Sequence, residues 1–281
     1  MARFLRTVWD RWFGGPLAVV EAESLAYRLS PAGRGVDVKT VAVVLTAAGC
    51  LVLHNYAGNP DRVAWLFGML AELAAGPDAR GDVVATLTAW TADQDARLAW
   101  FALSAVFAYA VVPGLVVKLF LREKLADFGA GVRGAAADWP VYLAFAAVML
   151  PVVYLCSAEP RFQEVYPFYR VNTRADVGPR FVRWELVYAL QFVGLEFFFR
   201  GFLVHGTKHR FGVYAVFLMV VPYCMIHFHK PLPETLGSIA AGVALGVVSL
   251  ATRSVWPGAA LHVLVAWGID ASILFRRGLI G

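Results

Sequence analysis

The chain has 281 residues, of which 59% are hydrophobic and only 16% are charged, whereas a soluble domain carries about 25% charged residues. This deficit of charge excludes an ordinary soluble domain and indicates a membrane protein. The net charge is +5, but the Lys and Arg residues form no basic stripe interleaved with aromatic residues. Nucleic acid is therefore not expected as a partner.

Residues 1–37 are predicted to form an N-terminal interfacial or cytoplasmic segment. Arg3, Arg6 and Arg11 alternate with apolar and aromatic residues, a pattern that predicts an amphipathic helix lying in the membrane interface. A frayed tail is the alternative. Charges, glycines and Pro16 interrupt the apolar residues, so a cleavable signal peptide is not predicted.

Apolar stretches close to the length that crosses a bilayer as a helix recur along the rest of the chain. The sequence therefore predicts an all-α fold, a polytopic transmembrane helix bundle of about 7–8 spans. An eighth, shorter stretch, Val63–Ala75, is predicted to be re-entrant or interfacial. The seven predicted spans are Val38–His54, Leu98–Leu121, Trp139–Ser157, Trp184–Leu203, Val213–Phe228, Thr235–Ala251 and Val255–Phe275.

The charges between the spans predict orientation. The acidic segment Gly76–Arg97 is predicted to be a non-cytoplasmic loop, and Arg122–Asp138, which holds Arg and Lys, a cytoplasmic one. The segment Arg161–Arg183 carries five arginines, but the predicted spans place it on the non-cytoplasmic side, where few arginines are expected. Either the number of spans is wrong by one, or this loop folds back on the protein. Residues 38–183 are predicted to form the N-terminal transmembrane helices and loops, and residues 184–281 a separate C-terminal group of helices.

An ionisable residue inside a span is costly and indicates a function. Glu196 and Arg200 are four residues apart, so they share one helix face and can pair. A desolvated Glu held by an Arg can act as a general base toward water. The alternative is a buried ion pair that fixes helix packing. Glu185 lies on nearly the same face and either lines the same cavity or sits at the interface.

Two more polar clusters follow in the later spans. Tyr223 and His227 are also four residues apart, with His229 just beyond, and an imidazole can stabilise an oxyanion, relay a proton or bind a metal. Interfacial histidines bonded to backbone are the alternative. His262 precedes Asp270 by eight residues, so that Asp270 could orient His262 or pair with another helix. A polar interhelical contact is the alternative here.

In order and spacing, these clusters resemble the CAAX-protease and bacteriocin-processing (CPBP) family of intramembrane peptidases. That family carries Glu-Glu-x-x-x-Arg, then Phe-x-x-x-His, then a His with Asn or Asp four residues later. The matching segments here are Leu195–Arg200, Tyr223–His227 and His262. The resemblance covers about 95 residues, from Glu185 to roughly Leu279.

The chain departs from the family pattern at three positions. Leu195 stands where the first Glu of the pair, usually assigned as the base, is expected, Tyr223 replaces Phe, and Ala266 replaces the partner of the last His. The resemblance then implies that Glu196 takes the base role and that Arg200 holds it. It also implies that His227 and His262 position water or the oxyanion, with Asp270 as a substitute partner.

The resemblance leaves the cofactor open, since the family has been described both as metal-dependent and as glutamate-based. No HExxH motif is present, and a water-activating Glu needs no metal. If a metal is present, zinc is expected, with Glu196, His227 and His262 as its ligands.

The leading hypothesis is an intramembrane endopeptidase that acts on a peptide or protein substrate in or near the lipid bilayer. The alternatives are an inactive membrane scaffold or bacteriocin-immunity protein, motivated by Leu195 and Ala266, and a small transporter. The expected location is a multi-pass position in the bacterial inner membrane. The sequence does not identify the substrate.

Overall fold

The computed structural model describes residues 10–132 and 139–281, and its ordered elements are helices. Six of these helices are long and apolar enough to cross a membrane. The described part of the chain is therefore a polytopic helical bundle, as predicted. The helices of more than ten residues are α1 (Gly15–Leu29), α2 (Val38–Ala57), α3 (Pro60–Ala75), α4 (Pro77–Thr91), α5 (Gln94–Phe120), α6 (Trp139–Cys156), α7 (Pro179–Phe211), α8 (Tyr214–Met225), α9 (Leu232–Thr252) and α10 (Trp256–Arg276).

Helix α8 is the predicted fifth span, and it is shorter than a full crossing. Its 12 residues, Tyr214–Met225, are followed by a turn. Contacts at the helix ends show how the chain alternates between the two ends of the bundle. The Val255 amide, after α9, donates to the Gly129 carbonyl after α5. Arg277, after α10, hydrogen-bonds the Gln163 carbonyl after α6. We call these the Gly129 end and the Gln163 end.

The prediction that Gly76–Arg97 is a loop is wrong, because most of it forms helix α4, which pairs with α3 as a hairpin. Gly76 adopts φ 95°, a conformation that suits glycine, and Pro77 starts the next helix. The two helices approach closely at Gly68, where a Cβ would come within 2.6 Å of the Val84 side chain. The short stretch Val63–Ala75 therefore lies within the first arm of this hairpin.

The arginine-rich segment folds back on the protein, which is the second of the two alternatives for it. Arg180 binds Asp95 at 2.8 Å and Asp93 at 3.0 Å. Arg174 donates to the Gly278 carbonyl at 3.0 Å. Several of the charges that conflicted with the predicted orientation are thus engaged by other elements of the bundle.

Helix α1 packs against the Gly129 end of the bundle. The carboxylate of Glu21 accepts a hydrogen bond of 2.6 Å from the Val213 amide, between α7 and α8. Glu23 pairs with Arg253 after α9 at 3.4 Å. The predicted interfacial helix falls largely on residues 1–9, which lie outside the described residues, as does part of the predicted cytoplasmic loop, residues 133–138.

Helix α7 is the centre of the bundle. Its phenylalanines Phe198, Phe199 and Phe202 are fully buried. Gly194 allows close approach to α5, since a Cβ there would lie 3.4 Å from the Cα of Val106. The polar residues of α7 are thereby placed in the interior of the bundle, between α8 and α10.

Candidate active site

Glu196 stands where α7 changes its winding. The α-helical part ends at Glu196, and a nine-residue π-helical segment, Phe197–His205, follows. Such segments are rare and are found frequently at functional sites. In this winding, backbone hydrogen bonds reach five residues back rather than four, which turns the side chains after Glu196 relative to those before it.

A cation and a histidine both bind one oxygen of Glu196. Arg200 Nη1 lies 3.0 Å from Glu196 Oε1, and His262 Nδ1 lies 2.9 Å from the same oxygen. Glu196 and Arg200 are both fully buried. Because an isolated buried charge is very costly and a paired one much less so, the arrangement keeps Glu196 as a carboxylate and fixes its orientation.

The second oxygen of Glu196 is open for another partner. Glu196 Oε2 is buried and has no hydrogen-bond partner among the described residues. It faces Gly258 in the first turn of α10, where a Cβ would lie only 3.1 Å from this oxygen. The glycine thus lets the start of α10 approach this oxygen closely, and the oxygen remains an acceptor to which a partner can bind.

Tyr223 connects Arg200 to His227. The guanidinium carbon of Arg200 lies 4.0 Å from the centroid of the Tyr223 ring, a favourable cation–π contact in a desolvated setting. The rings of Tyr223 and His227 are 4.8 Å apart and meet edge to face. His227 Nδ1 lies 2.8 Å from the Tyr223 carbonyl and donates to it. The two residues predicted to share a helix face therefore do contact each other.

The environment of His227 favours its neutral form. Burial lowers the pKa of His227 from 6.5 to about 4, and the nearby positive charges of Lys230 and Arg200 act in the same direction. The hydrogen bond to the Tyr223 carbonyl opposes this shift. With the proton on Nδ1, neutral His227 presents a lone pair at Nε2.

Glu185 and Asp270 form a separate carboxyl pair between α7 and α10. The two side chains lie close enough to interact electrostatically, as do Lys230 and Asp270, but none of the four carboxyl oxygens has a hydrogen-bond partner among the described residues. Asp270 is thus near Glu185 of α7, whereas His262 contacts Glu196. Eleven residues of helix, about 16 Å, separate Glu185 from Glu196, so the two acids belong to different layers.

His229 is exposed beyond the end of α8 and is not brought to Glu196. Leu195 and Ala266, which replace polar residues of the family pattern, are buried in the hydrophobic core. At both positions the side chain contributes to packing instead of extending the polar site.

The predicted zinc ligands do not form a metal site. Within residues 10–132 and 139–281, no three His, Cys, Asp or Glu side chains are grouped so that they could hold a metal ion. Glu196 and His262 are in contact, but His227 does not complete a ligand set with them. The donor set therefore does not fit the expected zinc, and no step is assigned to a metal.

Two contributors to the site were not predicted from the sequence. Gly258 shapes the space beside Glu196, and Phe192 packs against His262 with 4.4 Å between ring centroids. Both lie one helical turn from a predicted residue, Gly258 before His262 and Phe192 before Glu196. That spacing is the signal that could have identified them, because residues four apart share a helix face.

Comparison with known proteins identifies the family of this segment. Residues 179–268 match the family model described as type II CAAX prenyl endopeptidase Rce1-like. No curated protein and no solved structure matches the chain. The matched residues hold the complete Glu196, Arg200 and His262 cluster, together with Tyr223 and His227. The chain is therefore an integral membrane protein in which residues 179–268 are similar to the Rce1-like family of type II CAAX prenyl endopeptidases.

Proposed function

We propose that this protein is an intramembrane endopeptidase in which Glu196 activates the attacking water. The observation that carries the proposal is that the two carboxylate oxygens of Glu196 have different surroundings. Oε1 is held by Arg200 and His262, while buried Oε2 has no hydrogen-bond partner among the described residues and faces Gly258. An oriented, desolvated carboxylate with one free oxygen suits general-base catalysis.

The proposed reaction follows from this geometry. A water bound at Oε2 transfers one proton to Glu196 while its oxygen attacks the carbonyl carbon of the scissile peptide bond. The tetrahedral intermediate carries the negative charge on the former carbonyl oxygen. When the C–N bond breaks, Glu196 returns the proton to the leaving nitrogen, and a new carboxyl terminus and an amine result.

Arg200 is the residue that we assign to stabilise the oxyanion. Its Nε and Nη2 atoms have no hydrogen-bond partner among the described residues, and its charge is fully buried. Fixed donors in a desolvated site are strong stabilisers of developing charge. Neutral His227, and His262 when it donates from Nδ1 to Glu196, have only a lone pair at Nε2, so both histidines are assigned to positioning rather than to the oxyanion.

The substrate proposed for this site is a peptide or protein segment that lies in or near the bilayer. Glu196 and Arg200 are fully buried, whereas the His262 side chain is 16% exposed. Entry is therefore proposed along α10, on the side of His262. The bacterial inner membrane is the location that we propose for the protein.

The test is cleavage of a diverse peptide library by purified, detergent-solubilised protein beside Glu196→Gln. Glutamine keeps the size of the side chain but is not basic, so hydrolysis is expected to fall by about 100-fold or more. Glu164→Gln, an exposed acid outside this site, is the control and should retain activity. A chelator added to the wild type is expected to leave cleavage unchanged. Full activity in Glu196→Gln would overturn the mechanism.

The second candidate is a member of the family that does not cleave peptides. The burial of Leu195 and Ala266 in the core favours it, because neither position can supply the missing polar group. This candidate predicts that no peptide is cleaved by any of the three proteins, while Glu196→Gln still lowers the thermal unfolding midpoint. The structural role of the ion pair would then be its main role.

A further inference from the structure

A basic pocket lies at the Gly129 end of the bundle, away from the proposed active site. It has a volume of about 230 Å³, room for roughly seven water molecules. It is formed where α2, the segment after α5, the end of α7 and the end of α9 come together. Its charged and imidazole side chains are those of Lys39, Glu123, Asp127, His205, Lys208, His209 and Arg253.

Lys208 is the cation in this pocket that has no anionic partner. Lys39 pairs with Glu123 at 2.7 Å, and Arg253 pairs with Glu23 at 3.4 Å. Lys208 makes no ion pair within the described residues, although its side chain is only partly accessible. Lys39 and Arg253 are therefore neutralised by Glu123 and Glu23, and the charged groups of the pocket that make no ion pair among the described residues are Lys208 and Asp127.

A chain of hydrogen bonds through buried His205 fixes the orientation of Lys208. Lys208 Nζ lies 3.1 Å from His205 Nδ1, and His205 Nε2 lies 3.1 Å from the hydroxyl of Ser249 on α9. An ammonium group can only donate, so His205 accepts at Nδ1 and carries its proton on Nε2. Two of the three N–H groups of Lys208 are then left for a ligand in the pocket.

The residues around the pocket indicate that its ligand is an amphipathic anion. Val38, beside Lys39, is 65% exposed, and Phe120, three residues before Glu123, is 62% exposed. Both exposed apolar residues are close in sequence to pocket residues, Val38 at the start of α2 and Phe120 at the end of α5. Basic pockets between transmembrane helices at this level bind the head groups of anionic lipids. A free phosphate shares the head-group chemistry but would not use the apolar rim.

We propose that this pocket binds the phosphate group of an anionic phospholipid, with Lys208 as the principal contact and Lys39 and Arg253 at its edge. The acyl chains lie along the apolar surface beside Val38 and Phe120. The inference concerns a site distinct from the Glu196 cluster and does not depend on whether the protein is a peptidase.

The experiment is lipid binding to the purified full-length protein in a zwitterionic detergent, measured by native mass spectrometry. The probes are phosphatidylglycerol, phosphatidylcholine of the same chain length, and inorganic phosphate. Wild type is expected to retain phosphatidylglycerol over phosphatidylcholine. Lys208→Gln should bind phosphatidylglycerol about fivefold more weakly or worse, since one Lys near a membrane surface contributes about that much. Lys208→Arg, which keeps the charge, should bind more tightly than Lys208→Gln.

The matched control is Lys124→Gln, which removes an exposed lysine at the same end but outside the pocket. It should bind phosphatidylglycerol like the wild type. Equal loss in both variants, or no loss in a folded Lys208→Gln, would overturn the site. Binding of inorganic phosphate without binding of phosphatidylglycerol would show that the ligand is free phosphate, and would overturn the proposal of a phospholipid. The fold of each variant is checked by its lipid-free thermal unfolding midpoint.

Discussion

At the scale of single residues, the site depends on one glycine as much as on its charged groups. Gly258→Ala places a methyl group 3.1 Å from Glu196 Oε2, in the space that we assign to the water. We expect kcat/KM to fall by about tenfold to 100-fold, because small misplacements of reacting groups are costly. Peptide cleavage measures this effect.

The same substitution should change the stability of the fold only slightly, because the preference of alanine over glycine in a helix, about 1 kcal/mol, offsets the close contact with Glu196 Oε2. Activity and stability are therefore expected to separate. Gly237→Ala on α9 is the control, because a Cβ there meets open space. An active Gly258→Ala enzyme would show that the water does not sit beside this glycine.

His227 should make the protein sensitive to acid. Its pKa is about 4 in the folded protein and 6.5 as an ordinary value. As the pH falls below 6.5, the unfolded chain gains a proton that the folded one does not bind, so stability is lost until the pH reaches about 4. The loss is on the order of 2 kcal/mol at pH 5.

His227→Asn keeps an N–H donor near the Tyr223 carbonyl but does not titrate. Its thermal unfolding midpoint in detergent should therefore decline less than that of the wild type between pH 7 and pH 4.5. His229→Asn, at an exposed position, is the control and should follow the wild type. Parallel curves for wild type and His227→Asn would contradict the assignment.

At the scale of elements, the π-helical segment is joined to the loop after α5 through Gly201. A Cβ at Gly201 would lie 2.6 Å from the Phe128 carbonyl oxygen, a backbone atom that cannot turn aside. Gly201→Ala should therefore force the loop and α7 apart and lower stability by about 1–3 kcal/mol. The thermal unfolding midpoint reports this, with Gly237→Ala as the unstrained comparison. An unchanged midpoint would mean that the contact is not tight.

The sequence predicted the long membrane-crossing helices better than it predicted the acidic helix α4 and the π-helical winding of α7. Long apolar runs identify spans because a bilayer demands about 20 such residues, and the span Trp139–Ser157 was found to within one residue of α6. Helix α4 was missed because its acidic residues suggested a loop, although Pro77 after Gly76 is also a helix-start signal. The π-helical segment has no simple signature in residue periodicity.

For the candidate site, spacing within one helix was informative and pairing between helices was not. The pairs Glu196 with Arg200 and Tyr223 with His227 follow from four-residue spacing. The contact of His262 with Glu196, and the proximity of Asp270 to Glu185, depend on how α10 packs on α7. Interhelical register of this kind is set by the whole bundle and cannot be derived from one sequence.

At the scale of the whole molecule, the helix ends define two faces. Lys124 lies at the Gly129 end, and Asp82, in the α3–α4 hairpin, lies at the opposite end of α5. The loop after α5, which carries Arg122 and Lys124, predicts that the Gly129 end faces the cytoplasm. In a variant without its native cysteines, Asp82→Cys should react with a membrane-impermeant maleimide in whole cells and Lys124→Cys only after lysis. The reverse pattern would invert the orientation.

Helix α8 has a consequence for the bilayer itself. Its 12 residues extend only about 18 Å, whereas the hydrocarbon core is about 30 Å thick. Lipids beside a short apolar helix respond to such hydrophobic mismatch by thinning locally. The thinning would lie around α8, the helix that packs Tyr223 against Arg200, and therefore next to His227, which follows this helix. The membrane around this helix would then bring polar head groups and water close to the Glu196 cluster, which is itself buried inside the bundle.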